Sequence, residues 1–360
     1  AAVYGPNAGG KSNLLEALDY VRSAVARPVW LLSARADAPE GERPSMARCS
    51  AFEFDDVSAA EPTEFELYYR AGEHEYRYTL SVHADEIVSE GLWRRKLGAS
   101  RTATLFEREG AEVVLGPTLR KLATAATFNP SLPYLSFLCI NFDAPVVKEA
   151  ASWFLGGVFL NYNSSYLERA LEQMLDEADS PEVTRFLRAV DVRIDGFRVE
   201  KAPEGRGQRV FVKHEVDGKG YELRLSEESA GTQKLMGLAA FLLAALERGG
   251  TVVVDELDAK LHPKLLRYVI LLFKDPEVNK HGAQLIFSSQ DVSTMRNDVF
   301  RRDEIWFAAR GEGEASQLWS LADIHEANGN LVSKNAAFDK QYLSGRYGAD
   351  PYLTRIEEWD

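Results

Sequence analysis

Gly5-Pro6-Asn7-Ala8-Gly9-Gly10-Lys11-Ser12 fits the pattern G-x-x-x-x-G-K-[ST] at every fixed position. The preceding Ala2-Val3-Tyr4 reads as the end of a β-strand. After the loop, Leu14, Leu15, Leu18, Val21 and Val25 recur at helical spacing. Strand, glycine loop and helix form the context in which this pattern holds a polyphosphate. Glycines let successive backbone N–H groups close around an anion, and the helix N-terminus adds positive potential. Gly5, Asn7, Ala8, Gly9, Gly10 and Asn13 are therefore expected to surround the phosphates. Lys11 is expected to reach the β- and γ-phosphates, and Ser12 a magnesium ion.

Two further stretches fit the same chemistry. Thr251-Val252-Val253-Val254-Asp255-Glu256 is a β-branched run ending in two carboxylates, the form of a buried parallel strand that delivers acids to a sheet edge. Asp255 is expected to hold the magnesium ion, directly or through water, and Glu256 to polarise the attacking water as general base. Upstream, Ser229-Ala230-Gly231-Thr232-Gln233 opens an apolar helix containing Leu235, Leu238, Leu242, Leu243 and Leu246. It reads as a second anion-binding helix N-terminus or as a plain cap. On the first reading Ser229, Ala230, Gly231 and Gln233 contact nucleotide.

Composition sets the bounds. At 360 residues the chain has room for about two to three domain-sized units. The formal charge of -13 argues against a globally basic nucleic-acid binder but leaves room for a local stripe. Arg94-Arg95-Lys96 is such a cluster, read either as a nucleic-acid contact or as a solvated strand end. Cys49 and Cys139 are too few for a disulfide framework or a zinc site, which suits a reducing cytoplasm. No apolar run reaches membrane-spanning length. Because the first residues already read as the strand feeding the loop, further residues upstream are expected.

The periods along the chain suggest its organisation. Residues 27–50 read as a connection, and residues 51–115 alternate with period two, as in Phe65, Leu67 and Tyr69, then Tyr76, Tyr78, Leu80 and Val82. Leu167, Leu171, Met174 and Leu175, then Val183, Phe186, Leu187 and Val190, return to helical spacing, the second set opened by Ser180-Pro181-Glu182. A hairpin is expected over 209–225. The expected fold is α/β, with a mostly parallel core sheet, an added antiparallel sheet and a short helical insertion. Its parts are a nucleotide-binding core of residues 1–50 and 193–322, an antiparallel subdomain of 51–145, a helical insertion of 146–192 and a C-terminal segment of 323–360.

Phosphate loop, Ser-Ala-Gly-Thr-Gln segment and hydrophobic strand ending in Asp-Glu, in that order, resemble the ATPase head of the ABC superfamily. Asp255-Glu256-Leu257-Asp258-Ala259-Lys260-Leu261-His262-Pro263 is similar to the Walker B and D-loop of SMC-like, RecF-like and OLD-like ATPases. Four more stretches, Phe106-Glu107-Arg108, Arg301-Arg302-Asp303-Glu304-Ile305-Trp306-Phe307, Leu318-Trp319-Ser320-Leu321 and Tyr342-Leu343-Ser344-Gly345-Arg346-Tyr347-Gly348-Ala349, resemble bacterial AAA-type ATP-binding proteins of anti-phage defence systems. The resemblance implies ATP and magnesium bound between two protomers, with Asp258 of the D-loop at the nucleotide. It also implies an effector partner, commonly a nuclease, as in PARIS-type and Septu-type systems. A RecF-type DNA-repair ATPase and a non-hydrolysing scaffold stay open as alternatives.

This chain departs from the family pattern at two positions. Gln290 stands where a histidine commonly touches the γ-phosphate, and it lacks the imidazolium charge. Slow turnover, with ATP acting as a latch, is the expectation. Lys260 stands where a small serine is usual in the D-loop. His262-Pro263 reads as a helix cap, and Gly345-Arg346-Tyr347-Gly348 as a docking element or a surface turn. No acid cluster suggests a nuclease centre in this chain.

Overall fold

The computed structural model describes residues 1–33, 49–84, 86–122, 128–161, 175, 180–201, 208–326 and 329–349. Its strands in chain order are β1 (Ala2–Tyr4), β2 (Thr63–Ala71), β3 (His74–His83), β4 (Glu86–Lys96), β5 (Thr102–Glu109), β6 (Glu112–Leu115), β7 (Val158–Asn161), β8 (Gly196–Lys201), β9 (Gln208–Val216), β10 (Lys219–Arg224), β11 (Thr251–Asp255), β12 (Gln284–Ser288), β13 (Ile305–Arg310) and β14 (Ser316–Ser320). They form three sheets. The chain divides into two units, one built on residues 1–15, 158–311 and the chain from 316 on, the other on 16–157 and 312–315.

The first unit holds a six-stranded sheet in the order β14-β13-β1-β12-β11-β7. β1 runs parallel to β12 and β13, and β11 runs parallel to β12 and β7; only β14 is antiparallel to its neighbour. Every residue of β1 and β11 is buried, as strands covered on both faces require. The helix Ala230–Arg248 contributes Leu235, Met236, Leu238 and Leu242 to the core, and Pro263–Leu272 contributes Leu266, Val269 and Ile270. Gly249 ends the longer helix at φ 75, where an added Cβ would meet the His281 carbonyl oxygen at 2.4 Å. The expected hairpin is β9-β10, turned at Asp217-Gly218 with both residues at positive φ, and β8 adds a third strand.

One part of the expected organisation is corrected. Val158–Asn161, placed by sequence in a helical insertion, is the outer strand of the six-stranded sheet and pairs with Val252–Asp255 in parallel. Its apolar run is too short for periodicity to separate strand from helix. Among the described residues of 146–192 the helices are Pro145–Gly156 and Ser180–Ala189, and the second buries Val183, Phe186 and Leu187 as its spacing suggested. Leu167, Leu171 and Met174 lie outside the described residues.

The second unit carries the antiparallel meander β2-β3-β4-β5-β6. Tyr69, Tyr76, Tyr78 and Leu80 of its alternating pattern are buried. Arg108 and Glu90 are fully buried side chains 3.4 Å apart. Glu90 also accepts the N–H groups of Tyr134 (2.5 Å) and Leu135 (3.1 Å) and the Tyr78 hydroxyl (3.0 Å), which anchors the start of the helix Tyr134–Asn141. That helix was illegible in sequence because apolar residues surround it, leaving no amphipathic stripe. The chain before β2, expected to be strand, instead forms the short helix Asp56–Ala60, capped by the Asp55 carboxylate.

The helix after the phosphate loop, Lys11–Ser33, is longer than its spacing suggested and contains Pro28. It therefore runs into the segment expected to be a connection. Its residues through Leu15 belong to the first unit and those from Glu16 on to the second, where Val21, Ala24 and Val25 are buried. Pro28 removes one backbone donor from this helix.

Candidate nucleotide site

The carboxyl ends of the parallel strands converge. Val3 is level with Ser288, and Val254 with Phe287, so Tyr4, Asp255 and Ser288 end β1, β11 and β12 at one sheet edge. In open α/β sheets ligands bind outside this edge. β12 lies between the strand feeding the phosphate loop and the strand ending in Asp255.

Gly5 takes φ 150, and a Cβ there would lie 2.0 Å from the Ala308 carbonyl oxygen of β13. A Cβ on Gly9 would lie 2.6 Å from the same oxygen, and one on Gly10, at φ 96, would lie 2.1 Å from Ser316 Oγ. The loop is thus pressed against β13 and β14 so closely that only hydrogen fits. Ala8 at the crest sits at φ 61, and its carbonyl accepts from Arg310 Nε at 2.7 Å. Asn7 and Asn13 are exposed and Ser12 is half-buried.

Lys11 is 7% exposed and donates to the carbonyls of Gly5 (2.8 Å) and Pro6 (2.9 Å). Burial lowers its pKa from the usual lysine value, while Asp255, Glu256 and Asp258 pull it back. Lysine and the three acids therefore share one electrostatic neighbourhood. Asp255 is 2% exposed, and its Oδ1 accepts from the Ser288 hydroxyl. Ser288 Oγ in turn accepts the Glu256 N–H at 2.8 Å. Glu256 adopts φ 52, an uncommon conformation for a residue with a side chain, immediately after the strand.

Asp258 Oδ2 accepts the N–H groups of Gln290 (3.2 Å) and Asp291 (3.1 Å), while its buried Oδ1 has no hydrogen-bond partner. The Gln290 side chain is exposed. Ser229 caps Ala230–Arg248 by accepting the Thr232 N–H at 3.1 Å, and Gln233 Nε2 donates to the Glu228 carbonyl at 2.7 Å. Ser229, Ala230, Gly231 and Gln233 make no hydrogen bond to the phosphate loop of their own chain among the described residues. His262 caps its helix, its Nδ1 accepting the Lys264 N–H at 3.2 Å. In the Gly345–Gly348 turn Tyr347 is buried, its ring 5.3 Å from Phe307, and its carbonyl accepts from Trp319 Nε1 at 3.1 Å.

Sequence reading missed two contributors. Ser288 joins both acids through one hydroxyl, and its only signal was its place at the end of a core strand. Lys234, buried beside Leu235 and Met236 in its helix, donates to the carbonyls of Glu256, Leu257 and Ala259.

The residues present suit a nucleoside triphosphate with magnesium. The glycine cradle would be filled by any Cβ, and Asp255 offers an Oδ2 that accepts no hydrogen bond from the described residues. No group of three His, Cys, Asp or Glu side chains that could hold a metal occurs among the described residues. Ser12 and Asp255 would hold magnesium only together with phosphate and water oxygens, the habit of that ion.

A glycine loop after the first parallel strand and an acid pair after a strand two places away define a P-loop ATPase fold. The chain belongs to the family described as AAA domain, putative AbiEii toxin, type IV TA system, whose model matches residues 1–296. No curated protein matches it. Among solved structures, the SMC head domain from Thermotoga maritima is 15% identical over 89% of each chain, with a TM-score of 0.35. The Smc head domain bound to the C-terminal domain of ScpA from Pyrococcus furiosus is 14% identical over 89% of each chain, at 0.40. The recombination mediator RecF is 13% identical over 87% of this chain and 90% of its own, at 0.29.

Proposed function

We propose that the chain binds ATP with magnesium between two protomers and hydrolyses it slowly, as the sensor or scaffold subunit of an anti-phage defence complex that restrains a partner effector, such as a nuclease. The observation that carries the ATPase part is the phosphate loop seated beside Lys11, Asp255 and Glu256 at one sheet edge. The defence part rests on the resemblance of the flanking segments and on a family described by a toxin and a TA system.

In this reading Glu256 orients a water molecule and takes its proton as the water oxygen attacks the γ-phosphorus. The bond from that phosphorus to the β–γ bridging oxygen breaks, and ADP and phosphate leave. Lys11 exchanges its two loop carbonyls for phosphate oxygens and offsets their charge. Ser12 and Asp255 would hold magnesium, which would supply further charge neutralisation. The Ser229 segment serves the nucleotide of the other protomer, in keeping with its lack of bonds to its own loop. Gln290 leaves the γ-phosphate without an imidazolium, which favours a latch over rapid turnover.

Direct DNA binding through Arg94-Arg95-Lys96 has less support. Arg95 is paired with Glu75, and Lys96 lies 3.3 Å from Glu73. The deciding experiment is native mass measurement of the protein with magnesium and ATP, alone and co-expressed with its neighbouring gene product, for wild type, Lys11→Ala and Glu256→Gln. A nucleotide-dependent or effector-bound assembly that Glu256→Gln stabilises supports the proposal. A monomer that ignores ATP and binds nothing overturns it.

A further inference from the structure

Lys234 lies one turn into the helix Ala230–Arg248, is 4% exposed, and is surrounded along that helix by the buried residues Leu235, Met236, Leu238 and Leu242. A buried ammonium is expensive unless polar groups receive it. Here three carbonyls do: Glu256 at 3.0 Å, Leu257 at 3.1 Å and Ala259 at 2.5 Å. They converge because Glu256 at φ 52 and Lys260 at φ 62 bend the chain after β11 into a tight turn. An ammonium with three donors matches that cup; an apolar side chain of similar size fills the space and leaves the carbonyls unmet. The same helix meets the turn again at Gly231, where an added Cβ would lie 3.4 Å from the Lys260 carbonyl oxygen.

Resting on the ATPase reading above, we infer that Lys234 is a positioning residue for hydrolysis, fixing the backbone of Glu256 and coupling it to the helix that begins at Ser229. The turn is held from two sides. Ser288 fixes the Glu256 N–H from β12, and Lys234 fixes the Glu256 carbonyl from the helix. A displacement of the Ser229 helix therefore reaches the peptide that carries the general base. Binding of phosphates at the loop of the same chain should survive loss of this link, because the three carbonyls that Lys234 holds follow β11 and lie outside Gly5–Ser12.

The test compares wild type, Lys234→Met and Lys234→Gln as full-length proteins with magnesium and ATP. Steady-state kinetics give kcat and KM, calorimetry with a non-hydrolysable ATP analogue gives Kd, and thermal melting reports folding. The inference expects kcat to fall about 10- to 100-fold in Lys234→Met, the scale for a misplaced catalytic group, with Kd within about threefold of wild type. Lys234→Gln, which keeps amide donors, should recover part of that loss. Equal kcat in wild type and a folded variant overturns the inference, as does a parallel loss of kcat and nucleotide affinity. Should Lys234→Met fail to fold, Lys234→Gln decides by the same criteria. Wild type that binds the analogue but never hydrolyses ATP removes the parent reading instead, and is recognised without any variant.

Discussion

Ser288 Oγ accepts the Glu256 N–H at 2.8 Å while its own hydrogen goes to Asp255, so one hydroxyl on β12 links the two neighbouring acids that end β11. Ser288→Ala leaves a backbone donor without its acceptor. A loss of about 1–3 kcal/mol in unfolding free energy is expected in urea titration. Turnover should fall further than nucleotide affinity, and unaltered turnover in a folded variant would show that this link does not orient Glu256.

Buried Lys11 donates to the Gly5 and Pro6 carbonyls, which in the proposed function it exchanges for phosphate oxygens. Replacing it with alanine removes charge-assisted bonds of about 1.5–3 kcal/mol each, so ATP affinity should drop at least tenfold by calorimetry. Glu256→Gln should instead keep affinity and lose turnover by about 10²- to 10⁴-fold, the usual contribution of a general base. Equal effects of the two variants on Kd would refute the division of roles.

The exposed Gln290 side chain sits beyond β12, where imidazolium charge is absent. Gln290→His is expected to raise the steady-state hydrolysis rate near pH 6, where the new ring is largely protonated. A rate unchanged from wild type sinks the latch idea.

Gly9 has no room for a methyl group, since a Cβ would lie 2.6 Å from the Ala308 carbonyl oxygen. Gly9→Ala should reshape the loop, weakening ATP binding more than tenfold with only a small shift in Tm. Wild-type affinity in this variant would contradict the cradle geometry.

Burial lowers the Lys234 pKa from 10.5 to about 8. The folded chain then binds fewer protons than the unfolded chain between those values, so this group's contribution to stability rises with pH from about 8 to 10.5. Below pH 8 its unfavourable effect is complete. Unfolding free energies of wild type and Lys234→Met, measured across that range, should differ by an amount that shifts toward wild type as pH rises. A pH-independent difference would place the lysine in a better solvated setting.

The parts of this fold written in strong local patterns were legible. The phosphate loop, the Val252–Val254 strand and the alternation through Tyr76, Tyr78 and Leu80 each carry their own period or motif. Val158–Asn161 was not legible, because four residues do not define a period and its partner in the sheet lies nearly a hundred positions away. Tyr134–Asn141 hid for the opposite reason, its many apolar residues being spread around the helix without a polar face to set them off. The site showed the same divide. Lys11, Asp255 and Glu256 announce themselves by type and spacing, whereas Ser288 and Lys234 are ordinary residues whose contacts with Glu256 arise only from strands and turns meeting in space.

The oxygen that presses on Gly5 and Gly9 belongs to the backbone of Ala308, not to a side chain. No amino-acid replacement at position 308 removes it. Genetic change can therefore spoil the loop readily by altering either glycine, but cannot relieve the crowding by a compensating residue across the contact. In a mutational scan the two sides should behave unequally, with glycines that reject every substitution facing a position that accepts several small ones.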